Sequence, residues 1–292
     1  MKDYLIRAID KDASIRIFVA SSTNMVEKAR RTHDTSATAT AALGRSLTAA
    51  ALMGAMMKND NDRLTLKIAG GGPIGTILVV ADNKGTIKGY ADNPHADLPS
   101  REDGKLDVGG LVGVDGNITA IMDLGLRDPY IGQSTLVSGE IAEDLASYYA
   151  ISEQQPSAVS LGVLVDRDIS VRAAGGYIIQ LLPNVDEEAI EKIEGSLKNI
   201  GPVSQLIDRG LGPEDIMEKI LGQFEMQILD KIQIEYQCDC SRERIERILI
   251  SLGREELKSM IEEDGQGEVV CHFCNTKYHF DKEELEKLYS NI

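Results

Sequence analysis

The chain has 292 residues, 42% of them hydrophobic, and a formal charge of −16. That is enough apolar content for a globular core, but no run of eighteen apolar residues suggests a membrane span, and the start Met1-Lys2-Asp3-Tyr4-Leu5-Ile6-Arg7 has no apolar signal core. Every large part of the chain is net negative, which argues against binding a phosphate backbone.

Residues 1–20 read as a β-hairpin. Leu5, Ile6 and Ile9 lead into the turn cluster Asp10-Lys11-Asp12, and Ile15, Ile17 and Val19 alternate on the way out. The spacing predicts a long helix over 34–57, with Asp34, Thr35 or Ser36 as N-cap and small or apolar residues nearly all round, the pattern of a buried helix. Residues 63–90 turn to strands, split by Gly70-Gly71-Gly72-Pro73 and by Asn83-Lys84-Gly85. The glycine run lacks the Gly-Lys-Ser/Thr of a phosphate loop and reads as a turn. Asp92, His95 and Asp97 read as a polar loop around Pro94 and Pro99 in preference to a metal or catalytic cluster. Met53, Met56 and Met57 are assigned to core or dimer packing in preference to an adaptable binding surface. Short strands are expected between 110 and 137, a helix over 140–151, and a strand pair at 158–165 and 169–182. Strand runs with isolated helices, without regular βαβ alternation, indicate an α+β fold.

At Pro183-Asn184 the composition shifts. Residues 186–229 are acidic and helical, broken by Gly201-Pro202, Gly210 and Gly212-Pro213. Asp186 is the expected cap of one helix, and Pro213 sits in the first turn of another. Helices this short need docking to persist. The chain therefore divides into a mixed core domain at 1–183, a helical linker at 184–230 and a small C-terminal zinc-binding module at 231–292. Within that module, Ile232-Gln233-Ile234-Glu235-Tyr236 alternates as a strand into Cys238. Ser241 starts a helix carrying Ile245, Ile248, Leu249 and Leu252, which Gly253 ends. A second short helix holds Leu257, Met260 and Ile261, and Asp281 with Glu284 makes a capping box for the last helix.

All four cysteines lie in this module, as Cys238-Asp239-Cys240 and, thirty residues on, Cys271-His272-Phe273-Cys274. Two close pairs at that separation have the layout of a four-thiolate zinc site. Cysteines two apart on a strand point the same way, and a knuckle turn presents the second pair opposite them. Four thiolates complete a tetrahedron and leave no open position, so the chain is not expected to be an enzyme. His272 and His279 offer substitute ligands but read as bystanders. Metal binding is worth about 10–16 kcal/mol in small zinc peptides, against about 5–15 kcal/mol for the stability of a whole domain. The fold of so small a module is therefore expected to depend on its metal. Oxidation within each pair would close two tiny rings and remove the tie across the residues between them, roughly 3–4 kcal/mol of constraint. Spacing leaves several readings open: a static zinc knuckle, a switch opened by oxidation, or a thiol oxidoreductase with Cys271 as nucleophile. The last needs a βαβ setting and an unligated thiol. A zinc-stabilised adaptor or nucleic-acid binder is disfavoured by the acidic charge.

The C-x-C and C-x-x-C pairs behind an α+β domain carry a resemblance. So do Gly72-Pro73-Ile74-Gly75, Gly89-Tyr90-Ala91-Asp92-Asn93-Pro94 and Ser138-Gly139-Glu140-Ile141-Ala142-Glu143-Asp144. Together they resemble the 33-kDa heat-shock redox-regulated chaperone family over essentially the whole chain. The resemblance implies a cytoplasmic, ATP-independent holdase whose reduced form is inactive and holds one Zn2+ at Cys238, Cys240, Cys271 and Cys274. Under peroxide with heat, or hypochlorous acid, it implies the disulfides Cys238–Cys240 and Cys271–Cys274. Zinc release, unfolding of the zinc module and linker, and binding of unfolding client proteins follow in that scheme. It also implies a homodimer, with segments exchanged between protomers in some members, and hand-off of clients to ATP-dependent chaperones. No nucleic-acid or membrane partner is expected.

Overall fold

The computed structural model describes residues 2–183 and 185–290. Asn184, where the sequence places the start of the linker, lies outside the described residues, as do Met1, Asn291 and Ile292. The chain divides into two compact units, Met1–Gln237 and Cys238–Ile292.

In the larger unit, β1 (Tyr4–Asp10) and β2 (Ile15–Ser21) form the expected hairpin. Asp10 closes its turn by accepting from the amides of Ser14 and Ile15 at 2.7 and 2.6 Å. Two helices follow, α1 (Thr23–His33) and α2 (Ala37–Gly54). All of α2 except Ala37 and Arg45 is buried, which accounts for its small, apolar sequence, and Ser36 caps it through Ala39 N. Next come β3 (Arg63–Ala69), β4 (Thr76–Asp82), β5 (Thr86–Ala91), the short helix α3 (Val108–Val112), β6 (Asn117–Asp123) and β7 (Tyr130–Thr135). The helix α4 (Ala142–Ile151) precedes the hairpin β8 (Ser157–Val165) and β9 (Val171–Leu181). The acidic region forms α5 (Glu187–Ile200), α6 (Val203–Asp208) and α7 (Pro213–Leu221), followed by β10 (Met226–Gln233) and β11 (Glu235–Tyr236).

These strands build two sheets. One has the order β10-β1-β2-β9-β8, and the other β11-β5-β4-β3-β6-β7. All pairs are antiparallel except β11 on β5. The helix α2 packs on β8 and β9 of the first sheet and on β4 and β5 of the second, at the centre of the main core. Strand alternation splits β2 between two cores. Phe18 and Ala20 join the α2 side, whereas Ile15, Ile17 and Val19 join a second cluster with Ile193, Val203, Leu206, Ile216 and Ile220 of α5–α7. The linker helices thus lie on the apolar outer face of the first sheet. Asp186 and Pro213 begin α5 and α7 as expected, with Ala189 N donating to Asp186 Oδ1 at 2.7 Å.

Several details differ from the sequence reading. Helix α1 was not anticipated, and 108–112 is helical where short strands were expected nearby. Strand β10 begins at Met226, inside the stretch read as linker, and pairs with β1. The strand expected over 232–236 is two pieces, because the chain leaves the first sheet after Gln233 and joins the second at Glu235. The glycine run is a turn laid against 111–113. A Cβ on Gly70 or Gly72 would come within 2.3 or 2.4 Å of carbonyl oxygens there. Asp92 and Asp97 accept from backbone amides, of Thr76 at 2.8 Å and Thr38 at 3.2 Å, as a polar loop would. Met53 and Met57 are buried in the main core. Among the described residues no helix is long and apolar enough to cross a membrane.

The smaller unit comprises α8 (Arg242–Ser251), α9 (Arg254–Ser259), a π-helical turn at Met260–Asp264, the hairpin β12 (Gln266–Val270) and β13 (Lys277–Asp281), and α10 (Lys282–Ser290). Ser241 Oγ accepts from Arg244 N, and Asp281 and Glu284 form the expected reciprocal cap. Its buried core consists of Ile245, Leu249, Leu257, Phe280, Leu285 and Leu288. At about 1.5–3 kcal/mol per buried side chain, these six residues contribute well under the entropy of ordering the unit, at about 1–2 kcal/mol per residue.

Candidate metal centre

All four cysteines belong to the smaller unit. Cys238 and Cys240 lie in irregular chain just after β11, not within a strand. Asp239 between them turns to Arg244, whose Nη1 donates to Oδ2 at 3.0 Å. Cys271 and Cys274 bracket the turn between β12 and β13. Cys274 N and Asn275 N both donate to Cys271 O, at 3.3 and 2.8 Å, and Cys271 N donates to Thr276 O at 3.0 Å. Asn275 takes the left-handed conformation, φ 56°, that lets the knuckle close.

This folding brings the four Sγ atoms within 4.8 Å of one another. The close contacts run between the two stretches: Cys238 Sγ to Cys271 Sγ at 3.7 Å and Cys240 Sγ to Cys274 Sγ at 3.3 Å. A tetrahedral zinc with Zn–S bonds of about 2.3 Å requires sulfurs about 3.8 Å apart. The observed spacing fits, and the thiolate set suits a soft metal. His272 and His279 are not among the ligand atoms brought together, and His279 Nδ1 faces Glu268 at 3.3 Å.

Three of the thiols are shifted from the ordinary range. Burial pushes the Cys238 and Cys271 thiols above the usual thiol range. Burial acts the same way on Cys274, but hydrogen bonds from the Thr276 hydroxyl and amide and from neighbouring thiols bring it down to about 7. Cys274 Sγ and Thr276 Oγ1 are 3.2 Å apart, and Tyr278 Oη donates to Cys240 Sγ at 3.1 Å. Four sulfurs this close cannot all ionise alone, and a bound cation removes that penalty. Thr276 and Tyr278, which contact two of the sulfurs, were not singled out from sequence. Their positions within four residues of Cys274 are the signal that was there to be read.

The sequence profile of the Hsp33 protein family matches residues 3–281. The chain belongs to the Hsp33 family. Curated relatives agree along the full length. The 33 kDa chaperonin of Alkaliphilus oremlandii is 52% identical over 292 residues, covering 100% of this chain and 98% of the relative. That of Bacillus cytotoxicus is 50% identical with both chains fully covered. The crystal structure of the 33 kDa chaperonin (heat shock protein 33 homolog) from Thermotoga maritima superposes with a TM-score of 0.92 at 40% identity, covering 100% of this chain and 99% of that one. Hsp33 membership makes the chain a chaperone-family protein with a mixed helix-and-sheet fold and a C-terminal cysteine cluster able to hold a metal.

Proposed function

We propose that the chain is a redox-regulated, ATP-independent holdase, inactive when Cys238, Cys240, Cys271 and Cys274 are reduced and hold one Zn2+. The observation that carries this reading is the tetrahedral spacing of four sulfurs drawn from two stretches of a unit with only a small core. Bound zinc would keep these sulfurs as thiolates and tie 238–240 to 271–274.

Peroxide or hypochlorous acid oxidises each pair by two electrons. One sulfur–sulfur bond forms between Cys238 and Cys240 and another between Cys271 and Cys274, while each oxidant takes two electrons, peroxide becoming two waters and hypochlorous acid becoming water and chloride. Local disulfides leave no sulfur–sulfur bond between the two stretches, and residues 238–290 then rest on a core of six buried side chains and the partly buried residues around it. In this reading the opening involves the linker helices by way of β11 and β10, the edge strands that lie between Cys238 and α7. Helices α5–α7 are short, and α6 has six residues, so they persist only while docked. Their departure uncovers Ile6, Ile15, Ile17, Val19 and Ile179, an apolar face suited to unfolding client proteins.

The same reading assigns client binding and dimerisation to 1–183, the movable cover to 184–230 and the switch to 231–292. It also includes a cytoplasmic homodimer, with segments exchanged between protomers, that hands clients to ATP-dependent chaperones after reduction. Light scattering from a heat-denaturing client tests the switch. Peroxide-treated, mildly heated protein should suppress aggregation, and the reduced protein should not; equal suppression by both forms removes the switch.

A further inference from the structure

Met260 is the one methionine between Cys238 and the C-terminus. It opens the π-helical turn Met260–Asp264, where Gly265 N donates to Met260 O at 2.9 Å. Single turns of this kind are over-represented at functional positions. Its side chain is half-buried and packs against the six-residue core. The neighbouring strand is shaped around it: a Cβ on Gly267 would come within 2.8 Å of Met260 Cε and 3.9 Å of Leu285, which is itself fully buried. Gly267 and Phe280 also line a surface cleft with Asp264, Gln266 and Glu284, which brings solvent to that side of the core.

We infer that Met260 is a second oxidant-sensitive site, whose conversion to the sulfoxide loosens the smaller unit independently of the thiols. The inference rests on the redox-chaperone reading for its purpose, but not for its chemistry. The thioether sulfur loses two electrons and gains one oxygen. The oxygen–oxygen bond of a peroxide, or the oxygen–chlorine bond of hypochlorous acid, breaks, and the oxidant leaves as water or chloride. The product is polar and bulkier at the sulfur, beside the methyl that lies over Gly267. A polar group forced into an apolar contact disfavours the packed state, and in a core this small no other layer compensates. Thiol reductants restore disulfides to thiols but leave the sulfoxide, which needs its own reductase. Met260 would therefore retain a trace of oxidant exposure after the cysteines are reset.

The test uses the full chain and its Met260→Leu and Met260→Gln variants. Leu keeps the apolar volume without an oxidisable sulfur, and Gln places a polar group there from the start. Each protein is exposed to hypochlorous acid, reduced with dithiothreitol and reloaded with zinc. Peptide mass then reports oxygen at Met260, and hydrogen exchange reports opening of α8 and the β12–β13 hairpin. The expected result is one added oxygen at Met260 and exchange faster by about tenfold or more in the wild type, the low end for a polar group in an apolar contact. Met260→Leu should be unchanged by the treatment, and Met260→Gln should exchange fast without it. The inference is overturned if Met260 stays unoxidised while the thiols react, if the sulfoxide forms without faster exchange, or if Met260→Leu opens as much as the wild type. Failure of the holdase reading appears separately, in the client scattering assay, because this readout is taken on the thiol-reduced chain.

Discussion

Ile220→Ala probes the docking of the linker helices directly. Ile220 sits on α7, is fully buried, and packs with Ile216, Met217 and Leu221 over β1 and β2. The substitution removes three carbons, about 2.4 kcal/mol of transfer free energy at about 0.8 kcal/mol each. The cavity left behind brings the cost to about 3–4 kcal/mol, within the range for buried aliphatic truncations. At about 1.4 kcal/mol per factor of ten, the open state of α5–α7 should rise by about 100- to 1000-fold in the reduced protein. Hydrogen exchange on the reduced, zinc-loaded variant should show that rise at 187–221, with β3–β6 still protected. The same sample should suppress client aggregation partially without any oxidant. Leu47→Ala is the control, because Leu47 lies in the main core and its loss should lower global stability without selectively opening the linker. If Ile220→Ala opens α5–α7 yet leaves the reduced protein inert toward clients, the covered face is not the client surface. If exchange at α5–α7 is unchanged, the docking argument itself is wrong.

Four further outcomes follow from the larger unit. Tyr236→Phe removes the hydroxyl that contacts His33 Nε2 at 2.8 Å and donates to Gly89 O at 2.7 Å, both buried, and should cost about 1–3 kcal/mol in denaturant unfolding of that unit. Asp144→Ala strips a buried carboxylate that accepts from the amides of Val137, Ser138 and Ile141 at 2.7, 3.0 and 2.8 Å, and should lower the melting temperature by several degrees. Burial raises Asp3 from 3.8 to about 6, against hydrogen bonds from Met25 N and Asn24. The folded chain therefore keeps this proton where the unfolded chain has lost it, and its contribution to stability declines as pH rises from about 4 to 6. Asp3→Asn should remove that decline from the urea midpoint measured across the window. Glu27 runs the other way: its hydrogen bond with Arg30 helps hold it down to about 2, so its contribution is lost as pH falls from 4.5 toward 2, and Glu27→Gln should flatten that loss.

The sequence displayed what local pattern controls. The β2 alternation, the small and largely apolar α2, the Asp186 and Pro213 helix starts and the Asp281–Glu284 cap were readable because each is decided within a few residues. Helix α1 was hidden because its first turn is satisfied from afar: Ser22 makes no side-chain cap, and Asp3 accepts from Met25 N instead. Strand β10 was hidden because it is an edge strand with one half-covered face, so its alternation is weak. The strand read over 232–236 was legible as extended chain, but its break into the end of β10 and the two-residue β11 depends on pairing with β1 and β5, which no local window contains. The four ligand candidates were legible from spacing, whereas the contacts of Thr276 and Tyr278 depend on how the knuckle closes.

The most direct measurement of the central claim follows zinc release, free thiols and hydrogen exchange together during peroxide oxidation, and then maps the disulfides in a non-reducing digest. The account predicts that zinc leaves as thiols are lost, that bonds join Cys238 to Cys240 and Cys271 to Cys274, and that 238–290 and α5–α7 lose protection while the main core keeps it. Cross-pairing of Cys238 with Cys271 and of Cys240 with Cys274, whose sulfurs stand 3.7 and 3.3 Å apart, would keep the two stretches tied. That pairing, with an undiminished exchange barrier in 238–290, would contradict the account.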